Sequence, residues 1–496
     1  MTNLLKYFAL LFAISANYAS QAQQNQNDDE SNPLDQVVPV AEEDAADSVP
    51  AESIIDSRTL DEQLATEFER YQRLIREDAM DEADVSAKRI VEMAIKLHGP
   101  NSLETSKALN NLAVVQSRNG QYDAAIQNFE SAVEIIENAE DRLNERLVNP
   151  LRGLGAAQIS NGRPDLATKT FDRARHITHV NEGPHNIEQV EILEALAQAT
   201  LQMGDTKGAR AIIDRIHGLN VRYFAGDQIA LIPSLMHRAS WQHAAHYYND
   251  ERATYRRAIR IIEGEMGKDD PQLIFPLTQL GRSFYFVDML QSDTQQRGMV
   301  STGEMYFKRA ARIAERAPDL NWRVFVGAKL ALADHYIYAQ SQNRARNLYE
   351  EMWAFLSVNE ERLAMRAEAL ERPQVLFEDV LPKYAFKVAD STKASDNLLS
   401  GTIRVDYTIS TRGRVKNIRT EAMPPEFTDM QRMAHREIRN RVFRPQMSDG
   451  ELRDSDNLVF EHIFYYRQSD LDELKRKQEE ERLRSALDPL ETQSAS

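Results

Sequence analysis

The sequence predicts a mostly α-helical chain: a superhelical array of antiparallel helix pairs, then a small α+β unit. Three observations predict it. Leu-small pairs and Ala–aromatic pairs recur every 42 residues between about residues 58 and 358. After Glu360 the apolar spacing turns from helical to alternating, most clearly in Gly401–Ala422. The chain has 496 residues, 42 % hydrophobic and 28 % charged, which is globular composition and too much chain for one small core.

The same composition excludes several classes. There is no cysteine, so a disulfide framework, thiolate zinc, iron–sulfur clusters, a thiol nucleophile and a bacterial lipid-anchor Cys are ruled out. The net charge of −17 argues against nucleic acid, because phosphate contacts need clustered Lys and Arg. No internal apolar run reaches the roughly 18–20 residues that span a bilayer.

The N-terminus has the layout of a secretory signal peptide over residues 1–22. Lys6 supplies the positive charge, Tyr7 to Ala16 is apolar, and Ser20-Gln21-Ala22 offers small residues at the cleavage site. The rival is an uncleaved anchor over residues 5–19, for which the run is short and closed by Asn17. Residues 23–57 hold ten Asp or Glu, three Pro and no Lys or Arg. Such a segment buries too little apolar surface to order itself and is expected to be a disordered acidic linker. More than half of the net charge after cleavage sits there.

The repeats follow. Leu112-Ala113, Gly120, Ala125, Phe129 and Ala132 return 42 residues later as Leu154-Gly155, Gly162, Ala167, Phe171 and Ala174. They return again as Leu196-Ala197, Gly204, Ala209, Ile213 and Ile216. The next step keeps Tyr255 and Ala258 but puts Glu251 in the small position. Leu280-Gly281 holds the count; a ten-residue insertion, Ser292–Ser301, then precedes Phe307 and Ala310. Leu332-Ala333, Ala345, Tyr349 and Met352 close the series, and Ala83 and Ile90 fit a weaker first unit. Gly99, Gly183 and Gly267 are spaced by two periods. A small residue where two helices cross lets their backbones approach to about 8–10 Å. The aromatic four residues past Ala covers the seam. The polar insertion is expected to be a surface loop.

These residues resemble the tetratricopeptide repeat (TPR) family, in the longer variety seen in kinesin light chains. His98-Gly99-Pro100 followed by Leu109-Asn110-Asn111-Leu112-Ala113 matches that style. The common period of the family is 34; eight further residues per unit lengthen the helices by about two turns in all. The resemblance covers about seven helix pairs and implies a concave face that binds a protein or peptide. Carried over from the family pattern, Lys107, Asn110, Asn149, Arg152, Glu194 and Arg282 point inward, and the first four are candidates to receive a carboxylate or backbone carbonyls. The competing reading is a set of solvated polar positions.

Residues 359–372 are expected to be a helical connector that ends before Pro373. In the next unit, residues 373–468, Ile403, Val405, Tyr407 and Ile409 share one face of a strand. Thr411-Arg412-Gly413 makes a hairpin turn. Phe427 to Val442 has helical spacing, and Asn457–Tyr466 is a closing strand. This unit resembles the TonB C-terminal domain family in Gly401, Gly413-x-Val415, Ala434 and Val442-Phe443-Arg444-Pro445. Leu381-Pro382-Lys383-Tyr384 is only a rough counterpart of the family's upstream segment. The resemblance implies an exposed sheet edge that captures an extended peptide, with Leu458, Phe460, His462 and Phe464 as candidate contacts. Arg432, Arg436, Arg439, Arg441 and Arg444 form a basic run, of which Arg436 and Arg439 are the candidates to steer an acidic partner; a solvated helix face is the alternative. The tail, residues 469–496, is expected to be a lone, mobile charged helix.

No GxSxG, GxxxxGK[ST], HExxH or GxGxxG motif is present. His237, His243 and His246, and the pair His176 and His179, lack a carboxylate pattern that completes a zinc site. No cofactor is expected. The reading is a non-enzymatic periplasmic adaptor: the repeats bind one protein or peptide of the cell envelope and the TonB-like unit docks another, such as an outer-membrane receptor. The alternative is a TonB-type energy transducer for outer-membrane transport, anchored by residues 5–19.

Overall fold

Helix starts and turns recur with the same period as the packing residues. Ser102 accepts a hydrogen bond from the Thr105 backbone N–H, Asn144 from Arg146, Asn186 from Glu188 and Asp270 from Gln272. Each side chain thereby satisfies a donor that its helix leaves unpaired. Gly120, Gly162 and Gly204 take φ of 74°, 76° and 80° in the turn inside each pair, where a side chain would be strained.

The computed structural model describes residues 51–225, 228–286, 293–377 and 399–480. The signal segment, the linker up to residue 50 and residues 481–496 lie outside them. The described helices form seven pairs. They are α1 (Ala51–Arg76) with α2 (Met80–His98), α3 (Leu103–Arg118) with α4 (Tyr122–Ala139), and α5 (Val148–Ser160) with α6 (Pro164–Glu182). α7 (Gln189–Gln202) and α8 (Thr206–Tyr223), then α9 (Ile232–Ala244) and α10 (Tyr248–Glu265), follow. The last two are α11 (Ile274–Ser283) with α12 (Asp293–Arg316) and α13 (Trp322–Tyr338) with α14 (Gln342–Leu356). The chain divides into two compact units, residues 1–250 and 251–496.

In three pairs of the first unit the small residue of the first helix meets the aromatic or branched residue sixteen further on. A Cβ on Gly155 would lie 2.6 Å from the Phe171 ring, so only glycine admits the ring that closest. Gly153, two residues earlier, leaves the same room for Phe129 of the preceding pair, where a Cβ would come within 2.4 Å. Ala113 with Phe129 and Ala197 with Ile213 repeat the contact with slightly more room, all four buried. Polar links recur too. Gln116 accepts from Asn128 (2.7 Å) and Gln158 from Thr170 (2.8 Å).

The second unit repeats the device at Gly281, whose Cβ would lie 2.7 Å from the Phe307 ring. Two expectations change here. The insertion is not a loop throughout: α12 begins at Asp293 and takes most of it into a helix. Likewise, α1 begins at Ala51, inside the stretch expected to be linker; Ala, Glu and Ile are compatible with a helix and no Pro or Gly follows Pro50 to prevent it.

After α15 (Glu360–Ala369), β1 (Gln374–Phe377) pairs antiparallel with β4 (Val442–Arg444). β2 (Leu399–Ile409), β3 (Val415–Met423) and β7 (Ser455–Tyr466) form an antiparallel sheet in the order β3-β2-β7. Helix α16 (Thr428–Asn440) lies between β3 and β4 in sequence and buries Met430, Ala434 and Ile438 against Ile403, Val405 and Phe464. β5 (Met447–Ser448) and β6 (Glu451–Leu452) make a small hairpin.

Val442 and Met447 belong to the same core as Leu330, Ile337, Tyr349 and Leu370. The C-terminal module thus covers the apolar face of the last helix pair, as the end of a repeat array requires. The hairpin tip is part of this seat. Gly413 has φ 69°, and a Cβ there would come within 2.1 Å of the Phe443 carbonyl and 2.8 Å of Ile337. The tail is also seated. Residues 468–480 are helical, and Leu471 and Leu474 pack with Phe427, Phe464 and Tyr466. The expected lone helix has two leucines three residues apart, enough for one edge to be buried.

Candidate functional site

The first helix of each pair carries the polar residues that sequence reasoning selected. Lys107 is half-buried on α3 and has no ion-pair partner among the described residues. Asn110, one turn later, is only 5 % exposed. Its Oδ1 has no hydrogen-bond partner, although buried polar atoms are nearly always paired. Asn149 is exposed at the start of α5.

Arg152 does not stand ready for an incoming carboxylate, because it is paired with Glu191 of α7. Glu191 lies 42 residues after Asn149 and 84 after Lys107, so the repeat itself points to it. Glu194, one turn further, binds His237 of α9, with Oε1 2.9 Å from Nδ1. Burial pushes the His237 imidazole down, but the Glu194 carboxylate outweighs it and holds the ring above its ordinary value. Charged contacts therefore link α5 to α7 and α7 to α9, each between first helices of successive pairs. Sequence reasoning missed Glu191 and considered His237 only as part of an incomplete zinc pattern.

Arg282 belongs to the second unit, half-buried at the end of α11. Burial raises the Tyr255 and Tyr285 phenols well above their usual range, and the charge of Arg282 opposes this. Two buried tyrosines thus lie within reach of its charge.

In the C-terminal sheet the candidates fall on the inward face. Register pairs Gly401 with Phe464, Ile403 with His462, Val405 with Phe460 and Tyr407 with Leu458. Phe464 is fully buried, its ring occupying the space over Gly401, so it is a core residue rather than a partner contact. Leu458, Phe460 and His462 are half-buried on the same side. The Arg441 guanidinium lies 4.6 Å from the Phe460 ring centre. Because side chains alternate along a strand, the exposed ones on β7 are Val459, Glu461 and Ile463.

The basic run divides. Arg432 pairs with Asp429. Arg436 and Arg439 are exposed on α16, with no ion-pair partner among the described residues. Arg441 and Arg444 are buried or nearly so, and Arg444 grips Asp334 of α13. Two members remain available to a partner.

Among the described residues, no three His, Asp or Glu side chains are grouped to hold a metal ion. None of the described helices is long and apolar enough to cross a membrane.

Residues 74–138 match the Tetratricopeptide repeat family. That segment runs from the end of α1 through α4, and later pairs repeat its contacts. The chain therefore carries TPR repeats, a type that binds proteins or peptides. No curated protein matches the chain. Solved structures similar to it include the nearly identical TPR-like repeats of a Podosopora anserina kinesin light chain, with 15 % identity over 41 % of this chain and 97 % of that one, TM-score 0.38. BtubC from P. vanneervenii shares 18 % identity over 49 % of this chain and 94 % of its own, TM-score 0.36. Pseudomonas aeruginosa pilF shares 17 % over 51 % and 93 %, TM-score 0.31.

Proposed function

We propose that this chain is a non-enzymatic adaptor of a Gram-negative-type periplasm, whose first repeats hold an extended segment of a partner protein. The observation that carries the reading is Asn110. Its Oδ1, closed off from solvent in this state, lacks a donor, and a backbone N–H of an extended segment supplies one where the face of α3 opens to admit it. An unmet buried acceptor is unfavourable by about 1–3 kcal/mol; a bound segment removes that penalty. Lys107, one turn away, attracts an acidic side chain of the segment. Arg152 and Glu194, already engaged with Glu191 and His237, set the spacing of the first helices and offer only their remaining hydrogen-bonding capacity.

The C-terminal module docks a second envelope partner in this reading. The strand–strand–helix–strand order of residues 399–466 supports it, as do the exposed Arg436 and Arg439, which suit an acidic surface. Export rests on the layout of residues 1–22, and mass spectrometry of the chain recovered from cells tests it. A mature N-terminus at Gln23 is expected; retention of residues 5–19 contradicts it.

Site-specific photocrosslinking tests the groove. A benzophenone side chain at Lys107 is expected to give a discrete adduct in cells that Asn110→Ala weakens. The same probe at Glu134, exposed on the second helix α4, is expected not to give it. Equal adducts from both positions contradict the reading.

A further inference from the structure

His335 lies at the centre of the packing that carries the C-terminal module. It is fully buried on α13. Its ring lies 5.0 Å from Phe307 of α12 and 5.9 Å from both Tyr285, which follows α11, and Tyr336. Nδ1 is 3.1 Å from the Tyr285 hydroxyl, while Nε2 has no partner. A neutral imidazole fits this apolar slot.

A protonated one meets a single carboxylate, Glu304, which two cations already engage. The charged groups facing the ring are Glu304 and Lys308 of α12 and Arg344 of α14. The Glu304 carboxylate is already shared between Lys308 at 2.8 Å and Arg344 at 2.9 Å. The two cations oppose a further positive charge. Burial pushes the His335 imidazole down to about 4; the Glu304 carboxylate opposes this, and Arg344 and Lys308 reinforce it.

The slot continues into the seat of the C-terminal module. Tyr285, Phe307 and Tyr336, which touch the ring, share one core with Ile337, Tyr349, Val442 and Met447. The preceding residue, Asp334, holds Arg444. We propose that His335 makes this seat acid-sensitive: a proton on its imidazole opens the packing of α11, α12 and α13 and releases the hold of the last repeat on β4. This reading does not depend on what the first repeats bind.

The sign follows from the depressed folded value. The stabilisation is complete above the ordinary histidine value near 6.5, and declines as pH falls from there toward 4. Between pH 6.5 and 5, where most carboxylates remain ionised, the folded-to-open ratio falls about fifteen-fold.

Amide hydrogen exchange on the full chain, corrected for intrinsic rates, reads this directly. In the wild type, protection of segments 326–338 and 442–447 is expected to fall together by about fifteen-fold over that range. His335→Phe keeps the aromatic stack without a titrating nitrogen, and its profile is expected to be flat. His335→Gln provides a second non-titrating variant with the same expected result. Flat protection in the wild type, the same acid loss in either variant, or loss confined to 326–338 would overturn the proposal.

Discussion

Arg444 clamps Asp334 with two parallel hydrogen bonds, Nε to Oδ1 at 2.8 Å and Nη2 to Oδ2 at 2.7 Å. The two residues are 110 positions apart. Nη1 adds a bond to the Ala369 carbonyl at 2.9 Å, and the Tyr349 hydroxyl donates to Asp334 at 2.8 Å. Burial works against the Arg444 charge, but Asp334 outweighs it and holds the guanidinium above even its usual high value. A bidentate pair with every remaining group engaged is the geometry in which buried charges are tolerated.

Removing one partner leaves the other charge buried. Arg444→Met is expected to destabilise the second unit by about 3–5 kcal/mol. The double variant Arg444→Met with Asp334→Leu is expected to recover most of it. Urea unfolding of the full chain, followed by Trp fluorescence, measures both. Equal losses in the single and double variants contradict the clamp.

Gly155→Ala sets two effects against each other. Alanine in a helix is favoured over glycine by about 1 kcal/mol. Overpacking a buried ring is unfavourable by about 1–3 kcal/mol, and the fully buried Phe171 has little room to yield. A net loss of about 1–2 kcal/mol is expected, partly relieved by adding Phe171→Leu, because the two sites touch. Thermal unfolding measures it; a stabilised Gly155→Ala variant contradicts the seam contact.

Asn110→Leu is expected to leave stability unchanged or raise it by about 1 kcal/mol, since it removes a buried acceptor without a donor. Binding of the partner segment falls in the same variant. Stability and affinity moving in opposite directions mark a residue kept for binding. A loss of stability comparable to that of a core deletion contradicts this reading.

His237 and Glu194 make the link between α7 and α9 depend on pH. The folded imidazole lies above its ordinary value, so its contribution is complete below about pH 6.5. It is lost as pH rises through the folded value. His237→Gln is expected to flatten the pH dependence of exchange protection in α7 and α9 across the neutral range. An unchanged profile contradicts the pairing.

The helix pairs were legible because their contacts are local. Gly155 meets Phe171 only sixteen residues on, so the spacing of the packing residues records the fold. Gly281 and Phe307 remained recognisable across ten extra residues. The seat of the C-terminal module was not legible. β1 and β4 are four and three residues long, too short to show alternation, and their pairing joins distant parts of the chain. Arg444 looked like one more member of a basic run, since spacing records where charges lie and not what faces them. Phe464 was misread for a related reason: strand alternation identifies two faces, but which one is covered depends on α16. The repeat singled out Lys107 and Asn110 as candidates, while the engagement of Arg152 by Glu191 required the packing of successive first helices.

The central claim is that the face of α3 bearing Lys107 and Asn110 holds an extended partner segment. Calorimetric titration of the full chain with a synthetic peptide of the segment crosslinked at Lys107 tests it most directly. Lys107→Glu and Asn110→Ala are each expected to weaken binding tenfold or more, about 1.4 kcal/mol, with the wild-type unfolding midpoint retained. Unchanged affinity in both folded variants would contradict the account.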